Sequence, residues 1–364
     1  MSAKEIKSLT GIRGLAAIYV IAFHWNAEIA KKTPVPGSST AEFLMLKLLG
    51  HGYLSVDLFF ILSGFVLCIT YAKVFSEGVS VREYDSFMLK RFARIFPLYI
   101  VVTLLYFLVF HYTDFKNLWM NLTLMHGLNY NENNSIIPPG WSLTNEWVVY
   151  FIFPFLFFLL RKVKRVWAIM TAALLILLFL SCYRSLNFNW SNYSYLKKLD
   201  GFNPVISFTR GPASFLRTIT AYLLGAFTFF WLQKQQQLSF LRFLWMPLFT
   251  LMFVLMFISR TDILIILAMP FFIIYLTMDN RLSRFLSLKA IHFLGLISYS
   301  LYVNHYLFIK TYKSFSHWAG IDSLLLSLGY VLVCSLIFST LTYYMIEKPG
   351  VALIRRFTGR AAGQ

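Results

Sequence analysis

Arg13 and His24 stand eleven residues apart in a stretch that is otherwise uncharged from Leu9 to Ala27. Eleven residues is close to three helical turns, so the two side chains share one face about 16 Å apart. Ionisable groups within a membrane helix are costly and mark a site or a partner. A guanidinium at one level and an imidazole at another suit a ligand lying along the helix. Its anionic end would point at Arg13, and His24 would accept a proton. The alternative is an arginine that snorkels to the interface and a histidine bonded to a neighbouring helix.

The second apolar segment opens with His51-Gly52-Tyr53-Leu54-Ser55-Val56-Asp57, and Asp57 is its only acid. Asp57 either orients His24, as carboxylates orient catalytic imidazoles, or pairs with a nearby arginine. Ser63-Gly64 reads as a close helix contact, and no Gly-x-Ser-x-Gly elbow is present. Arg91 and Arg94 follow, at a spacing that lets both guanidinium groups face one phosphate. Ordinary anchoring of a membrane end is the competing account. Pro97, just beyond them, is expected in the first turn of a third span.

A fourth polar set begins at Pro138-Pro139-Gly140-Trp141-Ser142-Leu143-Thr144-Asn145-Glu146 and continues to Tyr150. A carboxylate entering an apolar helix needs a partner or a ligand. A sugar hydroxyl stacked beside Trp141 or Trp147 would serve Glu146, and a hydrogen-bonded structural role would serve it equally. Ser298-Tyr299-Ser300-Leu301-Tyr302 and His305 form an unusually polar membrane stretch, whose polar atoms must face other helices or a wet cavity. His305 is the rival to His24. By contrast, His51, His111 and His126 fall at helix ends or in connections and are expected to be exposed. Glu347-Lys348-Pro349 reads as a helix stop with an ion pair.

These residues require membrane helices to position them. The 364 residues are 58% apolar and 13% charged, about half the charge of a soluble domain. Apolar runs long enough to cross a bilayer predict helical spans near 8–29, 52–72, 95–112, 141–160, 166–183, 214–232, 240–259, 263–278, 290–309 and 323–345. An inward N-terminus places 21 of the 33 Lys and Arg residues on the cytoplasmic side. That bias follows the positive-inside rule and predicts ten spans with both termini cytoplasmic. It also accounts for the net charge of +18 without nucleic acid. Arg13 interrupts the first run and no cleavage site follows, so the first helix is expected to be retained. Cys68, Cys182 and Cys334 form neither a disulfide framework nor a metal set. The longest connections, 113–140 and 184–213, are expected outside, with 115–128 amphipathic at the interface.

Taken in order, the motifs resemble the acyltransferase family 3 membrane proteins, which O-acetylate bacterial surface polysaccharides and related glycoconjugates. The resemblance rests on Arg13-x10-His24, Val56-Asp57-Leu58-Phe59-Phe60-Ile61-Leu62-Ser63-Gly64-Phe65, Arg91-x-x-Arg94, Trp141-Ser142-Leu143 with Glu146, Ser298 to Tyr302 with His305, and Glu347-x-Pro349. It implies an all-α transmembrane domain over residues 1–350 with a basic cytoplasmic tail, 351–364. It implies acetyl-CoA or another acyl-CoA as donor, no metal, and a glycan or lipid-linked oligosaccharide acceptor, such as O-antigen or exopolysaccharide, beyond the bacterial inner membrane. Arg91 and Arg94 would then hold CoA phosphates, with Arg13 lining the donor path. His24 would be catalytic, supported by Asp57 and Glu146. Trp141, Ser142, Tyr150, Ser300, Tyr302 and His305 would contact the acceptor. Some members carry an added periplasmic hydrolase-like domain, which these residues do not include.

His24 would either deprotonate the attacking hydroxyl or carry the acyl group itself. A transporter or flippase of a lipid-linked sugar would share the helices and the basic inner face. It would have no reason to bind acetyl-CoA. A lipid-recognising receptor is a more distant possibility. Neither oligomeric state nor the acceptor hydroxyl is written in the sequence.

Overall fold

The computed structural model describes residues 5–30, 48–128, 135–187, 206–234, 241–258, 260–320 and 324–361. Much of the connection expected at 184–213, and part of 113–140, lie outside the described residues. Every regular element among the described residues is a helix, and each expected segment holds one. In chain order the helices are α1 (Lys7–Ala30), α2 (Leu54–Tyr71), α3 (Val81–Val109), α4 (Phe115–Leu122), α5 (Trp141–Leu160), α6 (Trp167–Asn187) and α7 (Gly211–Lys234). After these come α8 (Leu241–Leu255), α9 (Asp262–Thr277), α10 (Arg281–Leu286), α11 (Lys289–Leu296), α12 (Ser298–Ala319), α13 (Leu324–Thr342) and α14 (Lys348–Ala361).

Five stretches, Leu48–Tyr71, Val81–Val109, Pro138–Leu160, Gly211–Lys234 and Leu326–Ile354, are long and apolar enough to cross a bilayer. The surface says the same. Val333, Ile337 and Leu341, one turn apart on α13, are 54%, 59% and 51% exposed. An apolar stripe left open is a liability in water and the expected face toward lipid. The chain is therefore a multi-pass all-α membrane protein.

Two helix boundaries differ from expectation for a clear local reason. α3 begins fourteen residues before its expected start, because Ser80 and Glu83 form a reciprocal capping box there that satisfies orphan N–H groups. Pro97 consequently lies inside the helix and not in its first turn. The expected ninth span is divided at Ile297 into α11 and α12. Beyond α13 the backbone widens into a π turn over Tyr343–Glu347, and the basic tail continues as α14.

The helices fall into two compact units. The first comprises Met1–Lys73, Leu159–Phe208 and Phe215–Leu296. In it α1 packs along α10 and α11. Ser8 at its start donates to the carbonyl of Leu276 at the end of α9 (2.6 Å). Lys234, at the end of α7, donates to the Lys164 carbonyl, so these two basic connections lie at one end of the unit. Gly64 does mark a close contact: a Cβ there would stand 2.9 Å from the Tyr222 carbonyl oxygen of α7.

The second unit comprises Val74–Phe158, Thr209–Ser214 and Ile297–Gln364. In it α12 packs on α13, α14 lies along α3, and α12 also meets α3 and the Pro138–Gly140 turn.

Candidate active site

In the second unit, α3 presents Arg91 and Arg94 three residues apart, and their surroundings differ. Arg94 Nη1 lies 2.5 Å from Glu347 Oε1, and Ser300 Oγ donates to the other carboxylate oxygen at 2.6 Å. Glu347 is buried while the Arg94 side chain is 32% exposed, so the carboxylate is a fixed anchor under an arginine that still reaches a surface. The acid motif near the C-terminus therefore pairs with Arg94 across 253 residues. The local ion pair expected beside Lys348 is replaced by this one. The π turn carries Glu347 into this position, and such turns recur at functional sites.

Arg91 is half-buried. Its guanidinium lies 5.7 Å from the Phe87 ring centroid and 5.8 Å from that of Tyr150. Tyr150 OH in turn donates to Glu146 Oε1 at 2.6 Å. One tyrosine therefore touches both the cation expected to hold a donor and the carboxylate expected to meet an acceptor. A cytoplasmic donor and an acceptor beyond the membrane would set these two groups apart, and the structure brings them together. One turn of α5, about 6 Å of rise from Glu146 to Tyr150, separates the two, so they lie near one level.

Trp141 opens α5 and is half-buried. Ser142 Oγ and Tyr302 OH share a 2.7 Å hydrogen bond, and both reach the Pro139 carbonyl, at 3.0 and 3.1 Å. This knot ties the start of α5 to α12. On the same helix His305, fully buried, donates from Nδ1 to the carbonyls of Leu301 (3.1 Å) and Tyr302 (2.8 Å). Carbonyl oxygens only accept, so the proton sits on Nδ1.

In the first unit Arg13 and His24 lie on α1 and both are half-buried. Of the two readings of Asp57, pairing prevails. Arg217 Nε donates to Asp57 Oδ1 at 2.8 Å and Nη2 to Oδ2 at 2.6 Å, with both side chains 1% exposed. Arg217 also donates to the Phe208 carbonyl at 3.1 Å. The sequence carried a signal for this bond: an arginine in one apolar span and a lone acid in another require each other.

The expectation that His51 and His126 are exposed fails, since they are 2% and 3% exposed. His126 sits in a short 3-10 turn after α4. Burial pushes its pKa down to about 4, although the backbone at Met120 and Gly140 lies near enough to oppose this in part. Glu5, near the start of α1, shows the opposite balance. Burial would raise its carboxyl, but Thr10 and His292 outweigh it and hold the pKa below its ordinary value.

Comparison with known proteins decides the family. A family model described as an acyltransferase domain matches residues 6–344. The chain belongs to acyltransferase family 3. The peptidoglycan O-acetyltransferase OatA of Listeria monocytogenes is 29% identical over 185 residues, covering 45% of this chain and 26% of that protein. Protein 2 in the picA locus of Rhizobium radiobacter is 32% identical over 164 residues, covering 39% of this chain and 76% of its own length. The acyltransferase MdmB of Streptomyces mycarofaciens is 31% identical over 179 residues, covering 45% of this chain and 42% of its own. The chain thus spans about a quarter of the Listeria relative's length. No solved structure matches it.

Proposed function

We propose that this protein transfers an acyl group, acetyl in the first instance, from acyl-CoA to a hydroxyl of a carbohydrate beyond the bacterial inner membrane. Acetyl-CoA enters as a substrate from the cytoplasm, and the acceptor is a surface polysaccharide or its lipid-linked precursor. The observation that carries the reading is the chain Arg91–Tyr150–Glu146, with Arg94 anchored beside it by Glu347. A cationic pair suits the phosphates of CoA, and a carboxylate held by the Tyr150 hydroxyl on its own helix is suited to grip a sugar.

His24 is the proton acceptor. Its imidazole takes the proton of the attacking hydroxyl while the alcohol oxygen bonds to the thioester carbonyl carbon. The carbon–sulfur bond then breaks, and the sulfur leaves as CoA thiol after taking up a proton. Arg13, on the same helix, lines the donor path. The family membership and the names of two acyltransferase relatives support this reading.

The test uses the full chain in lipid nanodiscs with radiolabelled acetyl-CoA and membrane vesicles from the producing cell as the acceptor source. Transfer should fall about 10²–10⁴-fold in His24→Ala, the scale of general-base loss, with donor binding little changed. His305→Ala should lose less. Near-normal transfer in His24→Ala with loss in His305→Ala would reassign the base, and a wild type that does not bind acetyl-CoA would remove the donor.

A further inference from the structure

In the first unit α1, α2, α8 and α9 line a cavity of about 330 Å³. Among the described residues no charged side chain lines it. Its polar groups are Ser55 and Tyr19, and the Tyr19 hydroxyl already donates to the Leu48 carbonyl at 2.5 Å. The floor is closed, since Ala16, Leu54, Ser55, Ile265 and Met269 are buried. The rim is open: Leu15 is 36% exposed, Phe249 50% and Phe253 46%.

An apolar cavity of about 150 Å³ stays dry and takes one benzene ring, so this one has room for about a dozen carbon atoms. Water would find almost nothing to bond there. A rim of exposed apolar side chains on a membrane protein opens onto hydrocarbon. Met252, Met256 and Met269 give the wall flexible thioethers, which adapt to the shape of what they touch.

The position of the cavity bears on the reaction. Along α1 it runs from Ile12 to Tyr19, about 10 Å of rise, and His24 follows about 8 Å further on. A Cβ built on Gly52 would stand 2.5 Å from Phe23 Cβ and 2.8 Å from the Tyr19 carbonyl oxygen. The chain therefore enters α2 at the level where the cavity ends and His24 begins. Ile12, Leu15, Ala16 and Tyr19 lie roughly 60–160° round α1 from the face shared by Arg13 and His24. An occupant would leave that face free.

We infer that this cavity seats the hydrocarbon chain of a lipid-linked acceptor, a polyprenyl phosphate carrier, and brings the attached sugar to the level of His24. The inference rests on the acyl-transfer reading above. One cleft with room for a dozen carbons takes a single chain, which suits a one-chain carrier better than a two-chain phospholipid. Leaving the bilayer gains the chain no hydrophobic free energy, because lipid tails are as apolar as the lining. The cavity therefore sets position more than affinity.

The test uses the full chain in phosphatidylglycerol nanodiscs with a photoactivatable polyprenyl phosphate, its crosslinks mapped by mass spectrometry. Met252→Trp and Leu58→Phe enlarge half-buried apolar wall residues and remove no polar group. Val333→Trp, on the lipid-facing stripe of α13, is the control. Wild type should crosslink at the cavity residues, and unlabelled polyprenyl phosphate should suppress it. Both filling variants should lower that crosslinking about fivefold, equivalent to about 1 kcal/mol of lost contact. With acetyl-CoA and membrane vesicles from the producing cell, apparent acceptor KM should rise by a similar factor. Donor KM should hold, and Val333→Trp should match wild type in both assays. Wild-type crosslinks spread over the lipid-facing helices, or indifferent to unlabelled polyprenyl phosphate, overturn the seat and leave ordinary lipid in the cleft. That map does not depend on either variant folding. Normal acceptor KM in both filling variants also overturns it. Acyl transfer without cavity crosslinks defeats this inference alone. Cavity crosslinks in a wild type that transfers no acetyl group defeat the acyl-transfer reading, and the role of acceptor anchor with it.

Discussion

Breaking the bond between Asp57 and Arg217 tests what the buried acid of α2 is for. Two parallel contacts of 2.8 and 2.6 Å join them, with both side chains 1% exposed. The guanidinium also lies 5.8 Å from the Tyr53 ring centroid. Asp57→Asn leaves a buried guanidinium without its counter-charge, and Arg217→Met leaves a buried carboxylate. Losing one partner of such a pair costs about 3–5 kcal/mol, so each single variant should unfold much earlier in detergent. Asp57→Asn combined with Arg217→Met removes both charges of the pair, and replacement of a whole buried pair is often near neutral. The double variant should therefore recover most of the loss, giving a strongly non-additive cycle. Transfer per folded molecule adds the second readout. If Asp57 acts only through Arg217, the double variant stays active, whereas a role in orienting His24 would leave it stable and inactive. Singles that lose under about 1 kcal/mol, or a double no better than the singles, would refute the structural account.

Further outcomes follow from the second unit. Arg91→Ala should weaken acetyl-CoA binding by about 1.5–3 kcal/mol. Arg94→Ala should weaken it less and lower the melting temperature, because Glu347 already takes part of that charge; calorimetry on both, giving equal affinity losses with unchanged melting, would remove Glu347's claim on Arg94. Glu146→Gln should reduce transfer while donor affinity holds or tightens, since Arg91 loses a nearby negative charge. A parallel fall in both would return Glu146 to the fold. His126 predicts an acid sensitivity. Its folded pKa of about 4 lies below the unfolded value near 6.5. The unfolded chain therefore binds the extra proton first, and stability drains as pH falls through that window, by about 3 kcal/mol at most. In detergent unfolding, His126→Gln should flatten this slope relative to wild type; an identical slope would show that His126 does not titrate this way.

The helices were legible because their signal is long and redundant. Apolar runs such as Leu54–Tyr71 and Trp141–Leu160 fix an element within a residue or two, since burying or lipidating a helix needs every turn of it. The misplaced start of α3 shows where that signal ends. Its first turns, with Arg82, Glu83, Lys90 and Arg91, are polar, and only the Ser80–Glu83 box announces them. Reading hydropathy alone hid the cap. The division at Ile297 was invisible because Leu296-Ile297-Ser298 carries no proline or charge that would mark a break.

Site residues divide along a similar line. A charge in an apolar helix announces itself, so Arg13, His24, Asp57, Arg91, Arg94 and Glu146 could be chosen one by one. Their partners could not, because pairing is set by the packing of helices far apart in sequence: Arg94 with Glu347, Asp57 with Arg217. His126 shows the deepest limit. Position in a connection argues for exposure, and nothing in Met125-His126-Gly127 contradicts it. What buries the imidazole is the return of the chain at Pro138–Gly140, whose start at Ile136 is pinned by a hydrogen bond from its N–H to Asn121 Oδ1 at 3.0 Å. Asn121, fully buried at the end of α4, thus holds in place the loop that carries Ser135 and leads to Gly140. A polar side chain spent on fixing a loop is the kind of support a precise site requires.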